Sequence, residues 1–389
     1  MKLAPVLLTL LLFTNIQLHA QQSADTCGIK ISLLTCSPGE ELYSTFGHSA
    51  LRVKDDYYGS DVIYNYGTFE FNDEFYMKFV RGKLNYFLSV EKYDEFVGSY
   101  QWEKRGIIEQ ELQLTCAEKQ ALVSALGLNM RKENRYYKYD FLFDNCTTRL
   151  RDIISKHTSN RVLFKNILPE EVPTFRNLLY TYLNAGGQHW SKLGIDILLG
   201  SKLDKKVTNE QAMFLPEILM KGFDNAYTSG HPLVKSKQTI LSAAPIEPAT
   251  TWFRPELLFT ALFVLIGLLS FNKNRRIARA MRIFDVVFFM LLGLLGVLLL
   301  FMWFGTDHIV CSNNYNLLWA LPTHLPVAFI LHKQKKWLQQ YFIVTLIIAL
   351  LLAVCWLFLP QQLNTTVLPI LGIIAIRSGR RIQLLKAKN

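Results

Sequence analysis

One cysteine lies where a helix would favour its ionised form. Cys146 lies four residues before Leu150, which opens a run of apolar residues at helical spacing. This spacing predicts a helix that begins near Cys146, with Asn145 or Asp144 as its N-cap. In the first turn, the helix macrodipole and the free backbone N–H groups favour a thiolate, and the same N–H groups can bind an oxyanion. A small buried hydrophobe or one half of a disulfide is the alternative interpretation.

A base for this thiol is predicted at His48. The histidine follows Gly47 at the start of an alternating strand pattern, and Asn65 lies in the next strand along the chain. A cysteine with a histidine base, oriented by a third polar group, is the arrangement that nucleophilic acyl transfer needs. The pattern therefore predicts Cys146 as nucleophile, His48 as base and Asn65 as the residue that orients the imidazole; a purely structural histidine is the alternative.

The elements that must position these residues suggest an α+β fold. Alternating patterns predict five strands in the first half, over residues 29–34, 49–53, 62–66, 84–90 and 107–114. Thr115 and Glu118 form a capping box that opens a helix to about Met130, and the pattern beyond Cys146 is mainly helical. No cluster has metal-ligand spacing and no glycine loop suits phosphate, so neither a metal nor another cofactor is predicted.

The two ends of the chain indicate export and membrane anchoring. Lys2, an apolar run and a small residue at Ala20 predict a signal peptide over residues 1–20. A periplasmic Cys/His domain follows over 21–230, then a proline-containing linker over 231–255 and a transmembrane domain over 256–389.

Apolar runs in the last part predict about five transmembrane helices, over residues 257–271, 283–304, 317–331, 341–359 and 363–376. The basic clusters fall on one side if every run crosses. The positive-inside rule then puts the C-terminus in the cytoplasm and the first domain in the periplasm, with the bundle in the inner membrane. Near the third run, Asn316, Trp319 and His324 collect at the outer surface. Polar groups at membrane depth favour substrate contact; helix capping and interfacial anchoring are the alternative.

The positive charge of the chain does not indicate nucleic acid. The net charge is +11, but excluding Lys2 and everything beyond residue 255 leaves 28 basic and 28 acidic residues. The predicted periplasmic domain is therefore neutral overall, and a nucleic-acid partner is unsupported.

Disulfide pairing stays open. Cys27, Cys36 and Cys116 share the predicted periplasmic domain with Cys146. An exported compartment permits disulfides, and four cysteines allow three complete pairings. If Cys146 is a free nucleophile, one other thiol is left over, and the sequence does not select it.

Five motifs resemble one known family. They are LLTCSPGEELYSTFGH at 33–48, YNYGTF at 64–69, FVRGKL at 79–84, FDNC at 143–146 and NLLWALP at 316–322. The first four resemble the Lnb N-terminal periplasmic domain and the last its companion transmembrane domain. The order of His48 before Cys146 is also similar to permuted NlpC/P60 (papain-like) folds, in which Asn65 would be the more variable third residue.

The resemblance implies lipoprotein N-acylation. An acyl chain would move from a phospholipid donor, through a thioester on Cys146, to the N-terminal diacylglyceryl-cysteine of a lipoprotein acceptor. Arg81 and Arg149, together with Asn316, Trp319 and His324, are the predicted substrate contacts. A papain-like amidase or endopeptidase of peptidoglycan and a non-enzymatic membrane assembly factor are the alternative functions.

Overall fold

An antiparallel sheet forms the framework of the N-terminal part. The computed structural model describes residues 27–70, 73–244, 252–333 and 335–386, so the predicted signal peptide lies outside the described residues. Seven strands of the described chain form the sheet: β1 (Ile29–Cys36), β2 (His48–Asp55), β3 (Ser60–Thr68), β4 (Asn85–Lys92), β5 (Ile107–Leu112), β6 (Tyr136–Lys138) and β10 (Val234–Leu241). Their order is β10-β5-β1-β2-β3-β4-β6. Three short strands form a second sheet: β7 (Leu163–Phe164), β8 (Ala226–Thr228) and β9 (His231–Pro232).

Eight helices of the described residues accompany the sheets: α1 (Phe75–Val80), α2 (Tyr93–Trp102), α3 (Cys116–Met130), α4 (Cys146–His157), α5 (Phe175–Ala185), α6 (His189–Leu198), α7 (Asn209–Ala212) and α8 (Pro216–Asp224). The five predicted strands and the predicted helix α3 are present. Thr115 caps α3 by accepting a hydrogen bond from the Glu118 N–H, and the Glu118 carboxylate accepts one from the Thr115 N–H. Strands and helices thus form an α+β arrangement, as the sequence predicted.

The register of the sheet places His48 opposite the buried Cys36 of the neighbouring strand. β1 and β2 pair so that Cys36 lies opposite His48, and Leu51 of β2 lies opposite Tyr64 of β3. One face of the sheet packs against α3, α4 and α8 around a core that includes Leu33 and Leu150. Because α4 is fixed by this core, its first turn is held against the sheet.

The prediction of a linker over residues 231–255 is wrong for the first half of that range. Residues 234–241 form β10, which pairs with β5 from Val234 opposite Leu112 onward. Without this pairing, β5 would present an unpaired edge. The prolines of the range flank the paired strand, so its average composition concealed a strand signal. Residues 245–251 lie outside the described residues.

The C-terminal part is helical. Its described helices are α9 (Pro255–Ser270), α10 (Arg275–Phe304), α11 (His324–Ile330), α12 (Lys336–Val354) and α13 (Val367–Lys386). Among the described residues, α10 and α12 are long and apolar enough to cross a membrane, and α9 is apolar but shorter.

The third predicted span is not one helix. Residues 315–318 form a single 3₁₀ turn, and α11 begins only at His324. Pro322 lies between them, where its missing N–H and its ring interrupt helical hydrogen bonding. The irregular segment packs so closely on α10 that a side chain at Gly296 would overlap the Ala320 carbonyl oxygen. Burial against protein is the condition under which irregular backbone is tolerated at membrane depth.

A buried polar contact joins the two parts. Asp196, at the end of α6, is 1% exposed, and its carboxylate accepts hydrogen bonds from Arg176 at 2.7 Å and from Asn364 at 2.8 Å. Amide side chains of the helical part donate to backbone carbonyls of the same turn: Asn314 to Ile197 (2.7 Å), Asn316 to Asp196 (2.8 Å) and Gln361 to Leu199 (3.0 Å). The helical part therefore supplies the donors that the C-terminus of α6 requires.

Candidate active site

The turn before β2 fixes the position of His48. Gly47 has a φ of +79°, and a Cβ there would lie 2.7 Å from the Cys36 carbonyl oxygen. Only glycine fits such a conformation and such an approach without strain. The half-buried imidazole of His48 is thereby placed at the first residue of β2.

Helix α4 begins at Cys146, as predicted. The Asn145 side-chain oxygen accepts hydrogen bonds from the N–H groups of Thr147 (2.9 Å) and Thr148 (2.8 Å), and the Thr148 hydroxyl accepts one from the Asn145 N–H (2.9 Å). The Asn145 amide also donates to the Phe214 carbonyl at 2.9 Å, which ties the cap to the core. Since the cap uses two N–H groups of the first turn, the N–H of Cys146 itself is the first-turn donor that the cap leaves for an oxyanion.

The interaction with His48 gives the Cys146 thiol a low pKa. Burial alone raises the thiol pKa, because Cys146 is only 9% exposed and the thiolate loses water. The charge and the hydrogen bond of His48 outweigh burial, with smaller contributions from the Thr147 hydroxyl and the Ser49 N–H, and lower the thiol pKa from 9.0 to about 7.

The same contact acts on the histidine. Burial lowers the pKa of His48, but the charge on Cys146 and hydrogen bonds with Cys146 and Asn65 raise it above its usual value. The two groups therefore titrate as a pair, and near neutral pH the thiolate and imidazolium stabilise each other. This is the electrostatic state that an activated cysteine nucleophile requires.

Asn65 and Glu91 continue the hydrogen-bond chain behind His48. The imidazole Nε2 and Asn65 Oδ1 are 3.1 Å apart, and Asn65 Nδ2 donates to Glu91 Oε1 at 2.6 Å. A carboxylate accepts only, so it fixes which end of the Asn65 amide faces each neighbour. Asn65 Oδ1 then accepts from Nε2–H, which leaves Nδ1 of a neutral imidazole to accept the thiol proton.

Glu91 was not predicted from the sequence. In the register of β3 and β4 it lies opposite Ile63, diagonal to Asn65. The alternating pattern of β4 places it on one face of that strand, but only the strand pairing brings it to Asn65. Burial raises the pKa of Glu91, while the hydrogen bond from Asn65 and the charge of His48 oppose this rise.

Two predicted substrate-binding arginines lie in different environments. Arg149 forms a bidentate ion pair with Asp144 (2.6 and 2.8 Å), and its guanidinium lies 3.4 Å from the centre of the Tyr137 ring. These contacts already engage the charge of Arg149. Arg81 is exposed at the end of α1, and its carbonyl accepts a hydrogen bond from the Asp307 N–H at 2.9 Å.

The three predicted contacts in the helical part are buried. Asn316 takes part in the domain contact, and its side-chain oxygen accepts a hydrogen bond from the Trp319 indole at 3.0 Å. His324 is fully buried, and its Nδ1 lies 2.6 Å from the Tyr341 hydroxyl oxygen, within hydrogen-bond distance. None of the three hydrogen-bonds Cys146, His48 or Asn65 within the described residues. The structure thus brings together Cys146, His48 and Asn65, and among the remaining candidates Arg149 lies one helical turn from Cys146 but is paired with Asp144.

The other cysteines of the N-terminal part differ in burial. The Cys27 N–H donates to Cys116 Sγ at 3.2 Å, and both residues are partly exposed. Cys36 is fully buried, which raises the pKa of its thiol to about 12 and makes it a poor nucleophile. No group of His, Cys, Asp and Glu that could hold a metal ion occurs among the residues that the structure describes.

Two family models match the chain. The Lnb N-terminal periplasmic domain matches residues 17–181, and the Lnb transmembrane domain matches residues 246–389. The first match contains Cys146, His48 and Asn65, and the second contains α9 to α13. No curated protein and no solved structure matches the chain.

Proposed function

Because the chain belongs to the Lnb family, and is therefore a membrane protein with a periplasmic N-terminal domain, we propose that it is a lipoprotein N-acyltransferase. Its reaction moves an acyl chain from a phospholipid to the α-amino group of an N-terminal diacylglyceryl-cysteine. The observation that carries the proposal is the interaction of Cys146 with His48, which lowers the pKa of the thiol and raises that of the imidazole, with Asn65 hydrogen-bonded to the imidazole behind it. The domain contact at Asp196 supports lipid as the substrate, because it holds this pair on a membrane domain.

In the first half-reaction, Cys146 attacks the ester carbonyl of the phospholipid. The thiolate Sγ forms a bond to the carbonyl carbon, and the N–H of Cys146 donates to the developing oxyanion. The ester C–O bond then breaks, and the His48 imidazolium gives its proton to the leaving alcohol of the lysophospholipid. A thioester on Cys146 and a neutral His48 remain.

In the second half-reaction, the α-amino group of the lipoprotein attacks the thioester carbonyl. The C–S bond breaks, an amide forms, and His48 takes the proton that the amine loses. The pair returns to thiolate and imidazolium, so one base and one oxyanion site serve both halves. Asn65 holds the imidazole in the orientation that both proton transfers need.

The same proposal includes a fold relationship and a topology. A histidine at the start of an early strand, an asparagine on the next strand and a cysteine at a later helix start support a permuted papain-like (NlpC/P60-like) fold for the first domain. The basic clusters of the helical part support an inner-membrane location with a cytoplasmic C-terminus.

The test is the mass of N-terminal lipopeptides from cells with and without this protein. We expect triacylated peptides in cells that carry the wild-type protein and only diacylated peptides in the deletion strain and in the strain with Cys146→Ala. Identical lipopeptide masses in all three strains would show that the protein has another function.

A further inference from the structure

Helix α1 exposes apolar side chains on the surface of the periplasmic domain. Tyr76 is 75% exposed, Met77 59% and Phe79 50%. Three large apolar residues within one short helix form a patch of the kind that marks a contact with lipid or protein. Arg81 and Lys83 follow in the next turn and are also exposed.

The membrane domain holds α1 at the level of the membrane surface. Asp307 and His308 lie directly after α10, one of the two helices that are long and apolar enough to span a membrane among the residues that the structure describes. The Asp307 N–H donates to the Arg81 carbonyl, and His308 Nε2 lies 2.9 Å from the Phe79 carbonyl oxygen. Gly82 makes the approach possible, because a Cβ there would come within 3.1 Å of the His308 nitrogen. The exposed patch on α1 therefore lies where the outer leaflet begins.

A series of aromatic rings leads from α1 to the candidate nucleophile. We call it the aromatic row; its members are Phe79, Phe75, Phe69, Tyr86 and Tyr139. Successive ring centres lie 6.0, 5.5, 5.4 and 4.3 Å apart. A Cβ placed on Gly67 would lie 3.6 Å from the Tyr139 ring and 3.5 Å from the Cys146 Cβ, so the row ends beside the thiol.

The length and chemistry of the row suit an acyl chain. The path along its ring centres is on the order of 20 Å, somewhat more than the ~15 Å half-thickness of the bilayer hydrocarbon that one acyl chain spans. Aromatic rings offer large apolar contact area to such a chain.

We propose that α1 inserts its exposed side chains into the outer leaflet and that the aromatic row binds the acyl chain of a phospholipid and guides its ester to Cys146. This inference rests on the proposed function and names its lipid-binding surface.

The test compares two acyl donors on the full-length protein in vesicles of phosphatidylethanolamine and phosphatidylglycerol. One donor is a long-chain phospholipid in the vesicle, and the other is p-nitrophenyl acetate, which is water-soluble and needs no acyl-chain site. The readout is the ratio of the two rates of Cys146 acylation, because misfolded protein loses both reactions and leaves the ratio unchanged.

We expect Met77→Ser combined with Phe79→Ser to lower the long-chain to short-chain ratio about tenfold or more, since two large apolar side chains lose their contact with lipid. The matched control is Tyr57→Ser combined with Tyr58→Ser. These tyrosines are 83% and 80% exposed, in the turn at the far end of β2, about 25 Å along the strand from His48. The control should keep the wild-type ratio.

An unchanged ratio in the Met77 and Phe79 variant, or an equal fall in the control, would overturn the proposed lipid surface and leave the acyltransferase proposal intact. A wild-type protein that takes an acyl group from neither donor would overturn both proposals.

Discussion

Replacing His48 by glutamine should raise the pKa of the Cys146 thiol by two units or more. His48 is the main group that lowers this pKa to about 7, and burial pushes the pKa upward from 9.0 once the histidine is gone. At pH 7 the thiolate fraction would then fall from about one half to about 1% or less, roughly a 50-fold loss. A thiolate of higher pKa is intrinsically more nucleophilic, by about tenfold for two units, so the alkylation rate at pH 7 should fall only about fivefold.

The ionisation itself is therefore the sharper measurement. The ultraviolet absorbance of the thiolate is followed from pH 5 to pH 10 on purified protein, and the same titration of Cys146→Ala is subtracted to remove the other thiols. Wild type should show a transition near pH 7, and His48→Gln should show none below about pH 9. A transition at the same pH in both proteins would refute the assignment of His48 as the partner of Cys146.

Three other outcomes test the surrounding structure. Asn65→Ala should lower the rate of Cys146 acylation by about tenfold or more, yet less than the 10² to 10⁴ expected for loss of the base. Arg176→Met leaves the buried Asp196 carboxylate without its cation, which should cost about 3 to 5 kcal/mol of unfolding free energy; a melting temperature equal to wild type would contradict this. Cys27 and Cys116 should be joined by a disulfide in protein exported to a compartment that supplies a thiol oxidant. Alkylation of the denatured chain, with and without reduction, should then differ by two thiols, and neither should be Cys36.

Local signals in the sequence were enough to predict the helix that begins at Cys146. The cap at Asn145 and the apolar face from Leu150 onward are encoded within a few residues, so the start of α4 at Cys146 agrees with the structure. The alternation of apolar and polar residues likewise predicted β2, with His48 at its start.

Residues that depend on long-range pairing were missed or misassigned. Glu91 reaches Asn65 only through the register of β3 and β4, which alternation within one strand does not specify. β10 was taken for a linker because its partner β5 is more than a hundred residues away in sequence. Asn316 was predicted to bind substrate, but its amide donates to the end of α6 in the other domain. A polar residue at membrane depth has to be satisfied, and the sequence does not show by which group.

The acyl-enzyme intermediate tests the central claim most directly. Purified full-length protein is incubated with a phospholipid labelled in its acyl chain, without a lipoprotein acceptor, and then trapped rapidly in acid. Label should collect on the wild-type protein and be released by neutral hydroxylamine, which cleaves thioesters and spares amides. His48→Gln should take up label far more slowly and Cys146→Ala not at all. An active wild-type enzyme that never carries label, or a Cys146→Ala variant that does, would contradict covalent catalysis by Cys146.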